Sequence, residues 1–124
     1  HDNGRRRRRR RHTDVARIVM TPIVFILAAA LGAVLRLLIG LTVCRWQALL
    51  VANTTGAAVL GYVSSANLSA STITLIGVGF CGTLTTYSSF ALEARSLGWR
   101  WGAFYAALTI GCVCAAASIG STFA

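Results

Sequence analysis

The chain has 124 residues, of which 56% are hydrophobic and only 15 carry a formal charge, 12 basic and 3 acidic. Seven of the basic residues form one arginine run at positions 5–11, and only six charges lie in positions 15–124. About a quarter of the residues of a soluble domain of this size are charged. The composition therefore excludes a monomeric soluble globule. The short length predicts that any pore is built from short helices and from more than one copy.

Three charge-free stretches, 18–35, 46–92 and 101–124, are long enough to cross a membrane. A helix needs about 20 apolar residues to span the hydrocarbon core. The middle stretch is long enough for two helices and contains a polar connector at 64–72, which is typical of a turn. We therefore predict an all-α integral membrane protein with spans near 17–42, 46–64, 72–94 and 100–122. A soluble helix bundle would need polar outer faces, which these segments lack.

The amino-terminal region consists of an arginine run followed by an apolar segment, and each part has more than one interpretation. A secretory signal peptide is disfavoured because the apolar segment after Arg17 is longer than a signal-peptide core. The arginine run is typical either of a nucleic-acid-binding arm or of a cytoplasmic topology signal. We favour the second and expect no nucleic acid partner. We then expect residues 1–16 to be a disordered basic cytoplasmic tail, residues 17–122 to be a single four-helix transmembrane domain, and both termini to be cytoplasmic.

Basic residues also lie at the opposite end of the predicted bundle. With the tail inside, Arg45, Arg95 and Arg100 fall on the outer side, against the rule that positive charges stay in the cytoplasm. Without the tail, these three arginines would favour the reverse orientation. The topology signal is therefore nearly balanced, which is typical of a protein able to insert either way up.

The strongest polar cluster lies in the third predicted span, at positions 77–90. Three glycines in six positions weaken a helix there, and six hydroxyl-bearing residues follow within positions 83–89. One interpretation is an interrupted helix whose free backbone carbonyls hold an ion or line water. The other is a helix contact through small residues, with hydroxyls bonded to their own turn. The residues alone leave both open.

The remaining polar residues in the spans are mostly hydrogen-bond donors. Asn53 lies within the second span, Arg36 near the end of the first, and Tyr105 and Thr109 on one face of the fourth. A separate stripe in the fourth span predicts close helix packing: Ala103, Ala107, Gly111 and Ala115. Donors suit an anion or a neutral solute better than a cation. No nucleophile–base pair, paired carboxylates or phosphate loop is found, so we predict that the protein is not an enzyme.

The third-span segment 79–90, GFCGTLTTYSSF, closely resembles the GFCGGLTTFSTF signature of the Fluc (CrcB) fluoride channel family. Nine of the twelve positions agree. Other motifs also agree with the family pattern in their order and spacing: Gly32-x-x-x-Arg36, then Asn53 followed by Gly56 and Gly61, then Tyr105. The resemblance covers roughly residues 18–122. The resemblance implies a four-helix subunit with a broken third helix, which assembles as an antiparallel dual-topology dimer with two fluoride pores.

The resemblance also implies the functional residues. The fluoride pore would be lined by the Asn53 amide, the ring edges of Tyr87 and Phe90, and the hydroxyls of Tyr105 and Thr109. Apart from the resemblance, Arg36 either extends its side chain to the membrane interface or acts as an electrostatic residue that projects positive potential toward a permeating anion. The backbone carbonyls of Gly82 and Thr85, two from each subunit, would hold a structural sodium ion at the dimer centre. Membrane lipid surrounds such a dimer, which is either a homodimer or a heterodimer with an oppositely oriented homologue.

Three positions of the signature depart from the family: Thr83 and Tyr87 replace a glycine and a phenylalanine, and Ser89 replaces a threonine. Two other functions compete with the expected fluoride export across a prokaryotic plasma membrane. A small multidrug transporter needs an acid in its first span, but residues 18–41 contain none. A non-conducting structural subunit would use the glycines and alanines for packing alone.

Overall fold

The computed structural model describes the backbone of residues 2–124 and the side chains of residues 20–124. Its elements, in chain order, are α1 Asp2–Thr42, α2 Arg45–Ser65, α3 Ala70–Ile73, a π-helical segment Thr74–Cys81, α4 Gly82–Leu84, α5 Tyr87–Ser96 and α6 Trp99–Thr122. No strand occurs in this described part of the chain. The side chains of the predicted tail, 1–16, lie outside the described residues, so its disorder and its cytoplasmic location stay predictions.

Four helical segments among the described residues are long and apolar enough to cross a membrane: Met20–Thr42, Arg45–Ser65, Ala70–Ser96 and Trp99–Thr122. The predicted four-span architecture is confirmed. The first span leaves Ile26, Leu27 and Leu41 between 63% and 74% exposed within the single chain. Such a surface is stable only against hydrocarbon or another apolar partner, because exposed apolar patches of this extent are unfavourable in water. The protein is a multi-pass membrane protein.

Short connections place two pairs of helix ends together. The turn between α1 and α2 and the turn between α5 and α6 lie at the same end of the bundle, here called the short-turn end. Gly98 forms the second turn with a φ of +79°, a conformation that glycine adopts without a steric penalty. At the opposite end, the Ser69 hydroxyl accepts a hydrogen bond from the Thr72 N–H at 3.3 Å and caps α3.

The helices approach most closely at glycines whose missing side chain makes room for a neighbouring backbone. A Cβ at Gly61 would overlap the Ala117 carbonyl oxygen, and a Cβ at Gly120 would overlap the Ala58 carbonyl oxygen. These contacts join α2 to α6. A Cβ at Gly102 would likewise overlap the carbonyl oxygen of Ala94 on α5. Small residues at the crossing points are the usual means of packing helices in a membrane.

The predicted packing stripe of α6 does not pack within this chain. Ala103, Ala107, Gly111 and Ala115 are all exposed, and nothing lies within 4 Å of a Cβ placed on Gly111. Within the single chain the stripe meets no helix, because regular four-residue spacing does not specify which face meets a neighbour; its close packing stays a prediction. The crossing points with α5 and α2 put Gly102 and Gly120 at the contacts instead.

The two glycines of α6 provide a matched test of this packing. We expect Gly120→Ala to destabilise the protein by about 1–3 kcal/mol, because the added methyl group meets the Ala58 backbone, which cannot rotate away. Gly111→Ala is the control, since it adds the same atom in open space. Thermal unfolding of both variants in one detergent measures the difference. Equal stability of the two would contradict the packing.

Candidate ion pathway

The third span is interrupted near its middle. The Gly82 N–H bonds the Gly77 carbonyl, five residues back, so the hydrogen bonding is of the wide π-helical type before the break. The helix then ends after one turn of α4, and Thr85 and Thr86 are extended, with ψ of 156° and 118°. α5 begins at Tyr87. The broken third helix is confirmed. Part of the second interpretation is also confirmed, because the hydroxyls of Thr83 and Thr85 donate to carbonyls of their own span. That the break holds an ion stays a prediction.

Asn53 satisfies the backbone at this break. Its side-chain Oδ1 accepts a hydrogen bond from the Thr86 N–H at 2.8 Å, and its Nδ2 donates to the Thr86 carbonyl at 3.5 Å. Because the backbone N–H requires an acceptor, the orientation of the amide is fixed by this contact. Asn53 is 9% exposed. The predicted pore amide is therefore also the residue that holds α2 against the interruption.

The same contact changes what the Gly82 carbonyl can bind. In an unbroken helix the Thr86 N–H would bond the carbonyl of Gly82, four residues earlier. Here that N–H is donated to Asn53 instead. The Thr85 N–H does bond the Cys81 carbonyl, at 2.9 Å, so the loss begins at Gly82. Carbonyl oxygens released from a helix end are hard ligands of the kind that sodium prefers, so the break fits the predicted cation site.

Thr86 begins α5 as its N-cap. Its hydroxyl oxygen accepts a hydrogen bond from the Ser89 N–H at 3.4 Å and lies 3.2 Å from the Ser89 hydroxyl. A threonine in extended conformation before a helix is a typical cap. The sequence signal for this role was present as Thr86-x-x-Ser89, but the dense hydroxyl cluster around it obscured which residue starts the helix.

Three aromatic rings follow one another from the break. The ring centroids of Tyr87 and Phe90 are 6.1 Å apart, and those of Phe90 and Tyr105 are 5.5 Å apart. The predicted placement of Tyr87 and Phe90 on one side of α5 agrees with this geometry. Tyr87 is 82% exposed, whereas Tyr105 is 3% exposed, so the row of rings runs from the surface of the chain into its interior.

The buried end of this row continues as two hydroxyls on α6. Tyr105 and Thr109 are each 3% exposed, and their hydroxyl oxygens have no hydrogen-bond partner among the described residues. The two hydroxyls are close enough to interact, but they do not meet the geometry of a hydrogen bond. A buried, unpaired hydroxyl costs about 1–3 kcal/mol, so two in succession indicate groups kept for a ligand.

A groove of about 440 Å³ brings most of the predicted residues together. It is lined by residues of α2, the broken span and α6, among them Asn53, Gly82, Thr85, Tyr87, Phe90 and Thr109. Tyr105 lines a neighbouring apolar pocket with Trp46 and Trp101. Arg36 is half-buried on α1 and does not line the groove, so the structure leaves the predicted electrostatic residue apart from the others.

Comparison with known families agrees with this geometry. A family model described as CrcB-like protein, Camphor Resistance (CrcB), matches residues 23–121, which cover nearly all of the four spans and every residue that lines the groove. The chain belongs to the CrcB family.

Three relatives of this CrcB-family chain carry the name fluoride-specific ion channel FluC. FluC 2 of Rhodococcus jostii (strain RHA1) is 45% identical over 82 residues, 63% of this chain and 72% of the relative. FluC 2 of Prochlorococcus marinus (strain MIT 9313) is 47% identical over 55 residues, 43% of this chain and 44% of the relative. FluC 1 of Nocardia farcinica (strain IFM 10152) is 40% identical over 75 residues, 60% of this chain and 52% of the relative.

Thr83, a departure from the CrcB-family signature, anchors the break to α1. Its hydroxyl donates to the Ala29 carbonyl at 2.8 Å, with the Gly79 and Phe80 carbonyls of its own span as alternatives at 2.9 and 3.0 Å. Gly32 makes this approach possible, because a Cβ there would overlap the Thr83 hydroxyl. From the sequence, Thr83 in place of glycine indicates only a stiffer break. The contact with Ala29 could not be predicted, because the two residues are 54 positions apart in the chain.

Substitution of Thr83 tests the anchor. Thr83→Val keeps the volume but removes the hydroxyl, and we expect it to lower the free energy of unfolding by about 0.5–1.5 kcal/mol. Thr83→Ser keeps the donor and is expected to remain close to the unsubstituted protein. Chemical denaturation in detergent compares the two variants. A Val variant as stable as the Ser variant would show that the hydroxyl contributes nothing.

Proposed function

We propose that this chain is a subunit of a fluoride-selective passive channel that lets fluoride leave the cytoplasm and so lowers its toxicity. The observation that carries the proposal is the row of donors around the broken span, which ends in two buried hydroxyls without partners. The CrcB relatives named as fluoride-specific ion channels support the identity of the ion. No nucleotide or redox cofactor enters the proposal.

Fluoride is small and strongly hydrated, so a pore must replace its water with donors placed at short distance. The second Asn53 N–H, which takes no part in the bond to the Thr86 carbonyl, is one such donor. The electropositive ring edges of Tyr87 and Phe90 supply weaker contacts along the row. The hydroxyls of Tyr105 and Thr109 complete it in the interior, where a low dielectric strengthens each contact. Among the described residues that line the groove, none carries a carboxylate, so no negative side chain there would repel an anion.

The groove is open on one side, and we propose that a second, oppositely oriented subunit closes it. Tyr87 and Val78 are 82% and 63% exposed in the single chain, and Gly82 is exposed beside them. A polar groove open to lipid would leave backbone groups at membrane depth without partners, which is unfavourable. The partner is a second copy of this chain or a homologue inserted the other way up. Purified protein that runs as a monomer in detergent and conducts as one would contradict this.

The residues at the break fit the structural sodium ion expected from the family. The Gly82 carbonyl has lost its helical partner to Asn53, and Thr85 is extended beside it on the groove wall. Two such pairs, one from each subunit, would give a set of oxygen ligands. A cation held there supplies a positive potential that lowers the cost of moving an anion through a low-dielectric region. Arg36, half-buried on α1, adds to the positive potential from a greater distance.

The orientation follows from the charges. An even number of spans puts residues 20 and 122 on the same side of the membrane. The arginine run at positions 5–11 precedes the first span, so we propose that this side is the cytoplasm of a prokaryotic cell for this subunit, and that the oppositely oriented partner has its termini on the other side.

Substitution of Asn53 tests the channel. Asn53→Asp keeps the oxygen that accepts the Thr86 N–H, so the break is expected to persist, but it adds a negative charge to the path. We expect fluoride efflux from proteoliposomes to fall by about a hundredfold or more, since a like charge within about 4 Å costs several kcal/mol even at a moderate dielectric.

Gln47→Glu provides the matched control, because it makes the same amide-to-acid change at an exposed position on the same helix. It is expected to leave efflux nearly unchanged, and chloride efflux serves as the selectivity control. Unsubstituted protein that assembles but passes no fluoride, alone or with an oppositely oriented homologue, would favour the non-conducting structural subunit instead.

A further inference from the structure

One ion pair at the short-turn end lies outside the roles assigned so far. Arg45 begins α2, and its Nε lies 3.1 Å from Oε2 of Glu93 on α5. The two side chains differ greatly in exposure, 67% for Arg45 and 10% for Glu93. The contact therefore holds a buried carboxylate with a guanidinium that reaches in from the surface.

Glu93 is the one acidic residue among positions 20–124. A carboxylate buried at the end of a membrane span is costly unless it is paired, because its charge has left water. A glutamine at position 93 would have nearly the same shape and would avoid the cost of burying a charge. The chain instead has an acid there, and Arg45, the first residue of α2, neutralises it.

The position of Glu93 links this pair to the proposed pathway. Glu93 follows Phe90 by three residues on α5, so the two side chains lie on the same face of the helix. The Phe90 ring packs against Tyr105, whose hydroxyl is one of the two buried donors without a partner.

An unpaired carboxylate at this place would oppose an anion at Tyr105. Repulsion between two negative charges is strong where water is excluded, whereas a close ion pair presents only a dipole. The other two arginines of this end, Arg95 and Arg100, form no ion pair in the part of the chain that the structure describes, and both are exposed. They are therefore poorly placed to replace the guanidinium of Arg45.

We propose that Arg45 is a positioning residue for conduction, which neutralises Glu93 and so keeps the short-turn end of the Phe90–Tyr105 row accessible to anions. This inference rests on the proposed function. It concerns a residue that does not line the groove and has no role in the proposed sodium site. The pair acts through its net charge, so the charge at position 45 matters more than the exact hydrogen bond.

The test measures fluoride currents of purified protein in planar bilayers, together with efflux from proteoliposomes. Four variants are compared: Arg45→Gln, Arg45→Lys, the double variant Arg45→Gln with Glu93→Gln, and Arg100→Gln as the control arginine of the same end. Current through single channels is the decisive readout, because only folded and assembled channels contribute to it. A merely structural role would lower the number of channels and leave the current through each one unchanged.

We expect Arg45→Gln to lower the single-channel fluoride current by about fivefold or more, as expected for a change of one buried charge beside an ion path. Arg45→Lys and the double variant are expected to stay within about twofold to threefold of the unsubstituted channel, since both restore neutrality. Arg100→Gln is expected to change little.

Two results would overturn the inference while the channel itself stands. One is an unchanged single-channel current in Arg45→Gln; the other is a double variant as impaired as Arg45→Gln alone. Absence of fluoride conduction in the unsubstituted protein, both alone and with an oppositely oriented homologue, is a different result, because it rejects the proposed function rather than the role of Arg45.

Discussion

The structure depends on how a helix can be broken inside a membrane. An interruption leaves backbone groups at a depth where no water can bind them, and each unsatisfied group costs several kcal/mol. Asn53 resolves part of this by bonding both the N–H and the carbonyl of Thr86 from the neighbouring helix. The position of α5, and with it the place of Tyr87 and Phe90, follows from that contact. The same contact takes the N–H that would bond the Gly82 carbonyl in a regular helix, so a single amide both stabilises the break and removes the helical donor of Gly82.

Stability and function make opposite demands on the other polar groups. Thr83, Thr85 and Thr86 each find a backbone or side-chain partner close by, which stabilises the break. Tyr105 and Thr109 are more deeply buried than these half-buried threonines, yet their hydroxyls have no partner among the described residues. If packing alone governed this region, apolar residues would serve better at both positions. The contrast separates hydroxyls that hold the fold from hydroxyls that are unpaired in the single chain, and sequence composition cannot make this distinction because all five residues carry a hydroxyl group.

Local pattern predicted the spans well, with each boundary of the last three within two residues, because hydrocarbon thickness and charge-free length define them directly. The break was also located, since glycines and hydroxyls accumulate there. The contacts that determine its geometry were not predictable. Asn53 meets Thr86 across 33 positions and Thr83 meets Ala29 across 54, and neither pair has a local signature. The glycines of α6 that pack within the chain were not identified for a related reason: the spacing of small residues indicates that helices can approach, whereas the crossing point decides which glycine makes the contact.

Tyr87 shows why selectivity is not a property of one chain. Its ring is 82% exposed and contacts Phe90 only at a centroid distance of 6.1 Å, so the single subunit does little to hold it. A ring edge contributes to anion binding only when it is fixed in direction, because the attraction depends on orientation. Tyr87 is one of the three departures from the family signature, and in the proposed dimer its position would depend on the surface opposite it. The identity of the facing subunit, a second copy or a homologue, would then decide whether the Tyr87 hydroxyl points into the proposed path or away from it.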